Sequence, residues 1–244
     1  MKVQFVTVSF HSQNNIQRAI SSFSRHFPEE RLLVVDNNPL PEQVFKRRTL
    51  FNWVPNVDDE RNWLKRRQDI IIIRPNIEKI DVPLFHGDGL NCARKWCLRN
   101  GYDAMCHFEP DCLIRGRDWY IRLRQGIDRN WMCGLYKRAG HGIAPCPCLW
   151  MLEPTKHIDF NVQPKRGDVN DLQYEELVGP KVYAKDMGQW AVEYFKANWD
   201  MGGKLWFECA IRNKAAYKAP SSDFTHLWNG SIKNAKKHMQ FKLL

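Results

Sequence analysis

The chain has 244 residues, 43% apolar and 26% charged, ordinary globular usage that excludes a disordered, collagen-like or coiled-coil protein. Lysine and arginine number 37 against 27 acidic residues, a net charge of +10 that bears on partners rather than on fold. No apolar run approaches the roughly 18–20 residues that cross a bilayer, and the N-terminus lacks a secretory core, so no integral membrane segment is expected. Eight cysteines at spacings of no disulfide framework fit a reducing compartment, and a cytoplasmic location is expected.

Lys2–Ser9 is rich in β-branched and aromatic residues and reads as a buried strand. Ser12 is a candidate N-cap, and Ile16, Ala19, Ile20 and Phe23 follow at helical spacing. Arg31–Val35 reads as a second strand, stopped by the turn-forming Asp36-Asn37-Asn38-Pro39. A third strand, Asp69–Arg74, is closed by Pro75. Gly87-Asp88-Gly89 opens a helix through Leu90, Ala93 and Cys97 that ends at Gly101, a C′ glycine. Asp103–Phe108 is the fourth strand, with Glu109-Pro110-Asp111 at its carboxyl end.

Farther on, Met132–Tyr136 and Cys146–Leu152 read as strands, Ala184–Asn198 and Gly202–Lys214 as helices, and Val162–Leu172 as a long loop. Strands alternating with helices predict an open α/β sheet with its ligand site beyond the carboxyl ends of the strands, where Ser9, Asp36 and Asp111 fall. Glu109 and Asp111, two residues apart on an extended segment, share one face. Taken alone, Glu-Pro-Asp is a common surface turn. In combination with the other strand-end acids, the two supply the hard oxygen donors that Mg²⁺ and Mn²⁺ prefer, and Mn²⁺ also accepts imidazole.

The combination resembles a family. Val6-Thr7-Val8-Ser9-Phe10-His11-Ser12 and Leu33-Val34-Val35-Asp36-Asn37 look like the two nucleotide-binding segments of GT-A-fold glycosyltransferases of family 2. His86-Gly87-Asp88-Gly89-Leu90-Asn91 is similar to its Gly-X-X-X-Asn helix start, and Cys106-His107-Phe108-Glu109-Pro110-Asp111 to its strand ending in Asp-X-Asp. Phe224-Thr225-His226-Leu227-Trp228-Asn229-Gly230-Ser231 is similar to its C-terminal His-X-X-Gly-Gly-Ser.

The resemblance implies a GT-A-like open mixed sheet with helices on both faces. It implies one domain over 1–244: a nucleotide-sugar half (1–125), an acceptor half (126–231) and a basic tail (232–244). Thr7, Val8 and Ser9 would line the base, and Asp36, with Asn37 beside it, would bond the base or ribose. Gly87 and Gly89 would let backbone approach the nucleotide, with Asn91 in the same helix start. Asp111 would bind Mn²⁺ or Mg²⁺, with His226 completing the coordination. Glu109 replaces the first Asp of Asp-X-Asp, where its longer arm would reach a ribose hydroxyl or a metal-bound water, and it is kept as a further candidate at the metal. The donor partner implied is a nucleotide sugar, UDP-linked by resemblance alone. An inverting transfer needs a base near the acceptor hydroxyl. Trp199-Asp200-Met201-Gly202 is similar to an Asp-X-Gly segment of some members, which makes Asp200 the first choice, with Glu208 and Asp159 as reserves. Asp200 also suits a helix N-cap.

Other signals are weaker. The turn after the first strand has no glycine, which speaks against a dinucleotide fold, and the cysteines lack zinc-ribbon spacing, Cys97 and Cys106 fitting core positions. Trp96 and Trp119 suit cores, whereas Trp190, Trp199, Trp206 and Trp228 suit sugar rings and unpaired bases alike. Arg94, Lys95, Arg99, Arg115, Arg117, Arg122 and Arg124 suggest a nucleic-acid acceptor carrying a hydroxyl on a modified base. The alternatives are a polysaccharide or lipid-linked acceptor at a membrane surface, and an inactive nucleic-acid-binding module on the same fold.

Overall fold

The computed structural model describes residues 1–9, 13–38, 57–75, 85–135, 146–160, 203–219 and 221–226. Nine strands are described there: β1 (Val3–Ser9), β2 (Leu32–Asp36), β3 (Ile70–Ile73), β4 (Ala104–His107), β5 (Cys112–Ile114), β6 (Met132–Gly134), β7 (Cys148–Met151), β8 (Ala215–Tyr217) and β9 (Phe224–His226). Seven of them form an open sheet in the order β3-β2-β1-β4-β7-β6-β8, parallel except where β7 runs against β4 and β6. β5 and β9 make a separate antiparallel pair. The helices are α1 (Gln13–His26), α2 (Val57–Lys65), α3 (Phe85–Arg99), α4 (Asp118–Ile127), α5 (Leu152–Thr155) and α6 (Gly203–Ile211).

Alternation along the strands divides the core into two layers. Val3 and Phe5 of β1 face one side with Ile16, Ile20 and Phe23 of α1, Leu64 of α2, and Trp119 and Leu123 of α4. Val6 and Val8 face the other side with Leu90, Ala93 and Cys97 of α3, Leu152 of α5, and Leu205 and Phe207 of α6. A strand covered on both faces is apolar at successive positions, as in Leu32–Val35 of β2, whereas β1 also buries the polar Gln4, Thr7 and Ser9. The observed class is therefore the expected open mixed sheet with helices on both faces. Rings dominate the first layer, where Phe5 and Phe27 lie 5.0 and 5.1 Å from Phe23 between centroids. Each such side chain contributes roughly 1.5–3 kcal/mol by burial.

Two helix ends show how local chemistry sets the boundaries. α3 stops at Gly101, whose φ of 67° is left-handed. The amide of Gly101 bonds to the carbonyl of Leu98 (3.2 Å) and that of Tyr102 to Cys97 (3.1 Å), a Schellman closure. Gly101→Ala is expected to cost about 1–2 kcal/mol, because a Cβ is disfavoured at that φ although open space surrounds it. Thermal denaturation should record a drop of a few degrees; an unchanged melting temperature would refute the backbone origin of the effect.

The segment 202–214, read from sequence as one helix, instead ends at Ile211 and turns into β8. Asn213 adopts φ 53°, and Lys214 N–H reaches back to the carbonyl of Cys209 at 2.8 Å, so an asparagine closes this helix as Gly101 closes α3. The expected strand Met132–Tyr136 is shorter, ending at Gly134, and Cys146–Leu152 contracts to Cys148–Met151. No described helix is long and apolar enough to cross a membrane, and all eight cysteines are free thiols.

Candidate active site

The carboxyl ends of β2, β1 and β4 lie side by side, so the residues that follow them share one edge of the sheet. Ser9 is in register with Asp36, and the Asn37 amide donates to the Ser9 carbonyl at 2.9 Å. Thr7 and Val8 are buried immediately behind this edge. The Thr7 hydroxyl has no hydrogen-bond partner among the described residues.

Asp36 is only 6% exposed, and its carboxylate is the centre of a charged network. Oδ2 accepts from Arg61 Nε at 3.1 Å and pairs with Arg74 at 3.4 Å. Oδ1 accepts from the backbone amide and the side-chain amide of Asn38 at 3.1 and 2.9 Å. The Asn38 carbonyl takes one bond from each arginine, at 2.9 and 2.8 Å. Glu60 closes the circuit, accepting from Asn38 Nδ2 at 2.8 Å and from the Ser9 hydroxyl. The acid expected to meet the base or ribose is thus already compensated by two guanidinium groups. Arg74, with about a third of its side chain exposed, is the more open member.

Sequence reasoning passed over Glu60, Arg61 and Arg74. The run Asp58-Asp59-Glu60-Arg61 reads as a solvated helix face, and only the partners across the fold explain why Glu60 is 2% exposed.

α3 begins at Phe85, two residues before the expected opening at Gly87, so Gly87 and Gly89 are buried in its first and second turns. A Cβ on Gly89 would stand 2.7 Å from Val8 Cγ1 and 3.5 Å from Asn37 Nδ2, so its lack of a side chain is what lets the helix start touch β1. Asn91 donates to Asp159 Oδ1 at 2.7 Å, and its Oδ1 accepts from Arg94 at 3.0 Å and from the Phe160 amide at 3.3 Å. This brings two of the expected site residues, Asn91 and the exposed Asp159, into direct contact.

Arg94, read from sequence as part of a basic surface, is 6% exposed. It donates to the carbonyls of Thr155 (3.2 Å) and Ile158 and lies over the Phe160 ring, 5.2 Å from its centroid. Burial lowers its pKa, against the opposing charge of Asp159, and an arginine stays protonated regardless. Its function is to clamp the 152–160 segment onto α3.

Beyond β4, the Phe108 amide bonds to the Val6 carbonyl (3.1 Å) and the Cys112 amide to the Glu109 carbonyl (3.2 Å), which folds Glu109-Pro110-Asp111 into a tight turn. The Glu109 amide donates to Cys146 Sγ at 3.2 Å. Asp111 is 7% exposed and Glu109 is half-buried. Directly after the turn, β5 pairs with β9 in a register that sets Cys112 opposite His226, so the backbone of the expected imidazole ligand lies one residue from Asp111.

Among the described residues, no three His, Cys, Asp or Glu side chains form a metal cluster. The donor chemistry of the turn nevertheless fits Mg²⁺ or Mn²⁺, since carboxylate oxygens are the ligands such ions take. The neighbouring Cys112 thiol does not compete. Burial, with Cys146 3.8 Å away, pushes its pKa well up and keeps it protonated.

Glu208 is held within α6 by Lys204 at 3.0 Å and by Arg212. Partial burial raises its pKa, but the bonds and charge of those two cations outweigh burial and hold the carboxyl below its ordinary range. Asp200, the helix expected over 184–198, the loop 162–172, the Ser12 cap, Trp190, Trp199, Trp228 and the basic tail all lie outside the described residues.

No protein-family model matches the chain, and no curated protein matches it. Among solved structures, it is similar to the mannosyltransferase PcManGT of Pyrobaculum calidifontis in complex with GDP-Man and Mn²⁺, at 11% identity and a TM-score of 0.44. That match covers 64% of this chain and 46% of the other, so the chain spans about half the length of that relative. It is also similar to a cytidylyltransferase from Leptospira borgpetersenii, at 10% identity and a TM-score of 0.47, covering 91% of this chain and 78% of that one. S. aureus TarS 1-349 in complex with UDP-GlcNAc matches at 14% identity and a TM-score of 0.40, covering 73% and 51%.

Proposed function

We propose that the chain is a metal-dependent glycosyltransferase that moves a sugar from a nucleotide sugar, UDP-linked by family resemblance, to an acceptor hydroxyl, with inversion. The hydroxyl of a modified base in DNA is the acceptor that suits the net charge of +10. One observation supports this reading above all. Ser9, Asp36 and the Glu109-Pro110-Asp111 turn close three adjacent strands within about 10 Å of one another, and β9 returns beside the turn.

In this reading Asp111 and Glu109 hold Mn²⁺ or Mg²⁺, with His226 as third ligand. The cation, when bound, supplies charge stabilisation for the departing nucleoside diphosphate. The first turn of α3, pressed against β1 by Gly89, offers backbone amides to anionic oxygens. Thr7, Val8 and Ser9 back the base, and Asp36 orients Arg61 and Arg74 beside Asn37 and Asn38 at the nucleotide edge. Asp200 is the first candidate to take the acceptor proton. Asp159, exposed and bonded to Asn91, and Glu208, whose carboxyl is held in its ionised form by Lys204 and Arg212, are the reserves.

A thermal-shift screen of UDP-, GDP- and TDP-sugars tests the donor claim. A UDP-sugar with Mn²⁺ at about a hundred times its Kd should stabilise the native state by about 2.7 kcal/mol, a rise of roughly 5–10 °C. The same sugar in EDTA should give almost none. No shift with any nucleotide sugar, with or without metal, would overturn the reading.

A further inference from the structure

α1 carries Arg18, Ser22 and Arg25 at spacings of four and three, one stripe along the helix. β5 and the residue after it bring Leu113, Ile114 and Arg115 up to that stripe, and the two walls enclose a cleft of about 470 Å³. Ser22 ties the walls together, donating to the Ala19 carbonyl (2.9 Å) and accepting from the Ile114 amide (3.1 Å).

Arg18, Arg25 and Arg115 are exposed, and none has an acidic partner among the described residues. Nearby arginines are neutralised: Arg117 pairs with Glu29 at 2.6 Å and Arg122 with Asp118 at 2.6 Å. Three like charges around one hollow repel unless an anion lies among them. Arg18 and Arg25 stand about 10 Å apart along the helix, farther than one small anion reaches from fork to fork. The fitting ligand is therefore a chain of repeated charges, and the guanidinium fork matches phosphate oxygens two at a time. Leu113, Ile114 and Ser22 line the floor, and the imidazole of His26 is the one ring among the lining residues, so three guanidinium groups against a single ring favour contact with backbone over readout of sequence.

We propose that this cleft grips the phosphodiester backbone of a nucleic acid. Its position gives the grip a purpose. β5 leaves the Asp111 turn directly, and α1 begins just past the end of β1 at the candidate site, so a strand held along the cleft leads to that edge. The role as acceptor track rests on the transferase reading; the binding itself does not.

The test is fluorescence anisotropy with labelled 20-base-pair duplex DNA, the single strand and the matching RNA, across 50–300 mM salt. Wild type should bind with a steep salt dependence. Changing Arg18, Arg25 and Arg115 together to Ala should weaken binding at least about tenfold at 100 mM and flatten the log–log slope by about 2 to 3, the value for three lost phosphate contacts. Lys65, Arg66 and Arg129, three exposed cations elsewhere, serve as a control. Their joint change to Ala should leave the slope nearly unchanged.

Equal losses in both triple variants would reduce the effect to generic charge attraction and overturn the proposal, as would failure of wild type to bind any of the three probes at 50 mM. The ranking of the probes identifies which nucleic acid is held. UDP-sugar thermal shifts should be the same in wild type and the cleft variant. A donor shift with unaltered DNA binding in that variant sinks the cleft alone, whereas DNA binding without any donor shift sinks only the transferase.

Discussion

Asp111→Asn is expected to lower turnover by at least about 10²-fold, about 2.7 kcal/mol of transition-state stabilisation, in a variant that keeps its fold. The size follows from how firmly the carboxylate is placed. Its turn is held at one end by the Phe108 amide on Val6, and at the other by Ile114 N–H on the Ser22 hydroxyl (3.1 Å) and Arg115 N–H on the Asp223 carbonyl (2.7 Å). A charge fixed in this way needs no reorganisation during the reaction, and Asn keeps its shape while removing the charge. His226→Ala should lose turnover in the same way. Sugar transfer by the purified variants, read beside circular dichroism and the Mn²⁺-dependent thermal shift, checks both. Asp111→Asn at near wild-type turnover, or wild type active in excess EDTA, would remove the metal from the mechanism.

Legibility of the edge in the sequence had a physical limit. β1, β2 and β4 are buried on both faces, so the apolar run of β2 and the polar stops after β2 and β4 stand out. The left-handed residue at Gly101 announces the end of α3 because glycine is the residue that adopts it without penalty. β5, β8 and β9 are only three residues long, too short to show a period, and they exist because each pairs with a segment far away in the chain. β5 nevertheless matters to the candidate site, since its pairing with β9 sets the backbone of His226 one residue from Asp111. Arg94 and Glu60 failed for the opposite reason. Long charged side chains read as surface until a tertiary partner takes them in, and no local signal names carbonyls 61 and 64 residues away. The Glu109-Pro110-Asp111 turn was legible from its proline and its place after a strand, its Asp-X-Asp reading rests on the family resemblance, and the two arginines that answer Asp36 were not legible at all.

Asp36→Ala should be the most destabilising single change at this edge, costing about 3–5 kcal/mol and lowering the melting temperature by roughly 10 °C. The carboxylate and Arg61 are both largely buried, with side chains 8% and 11% exposed, so removing the acid leaves a guanidinium with little water to replace it. Arg74 softens the loss because it is one-third exposed and can turn to solvent. Asn38 loses both of its bonds to Oδ1, which releases the turn at the carboxyl end of β2 where the donor is proposed to bind. Donor binding should therefore weaken along with stability.

A companion variant separates the two effects. Arg74→Ala removes an open cation without stranding a buried charge, so it should cost little stability while still reducing the affinity for a UDP-sugar. Chemical denaturation monitored by tryptophan fluorescence measures the first quantity and the donor thermal shift the second. An Asp36→Ala protein as stable as wild type would mean that the two arginines are solvated in solution, and the ordered network at the end of β2 would then have no energetic standing.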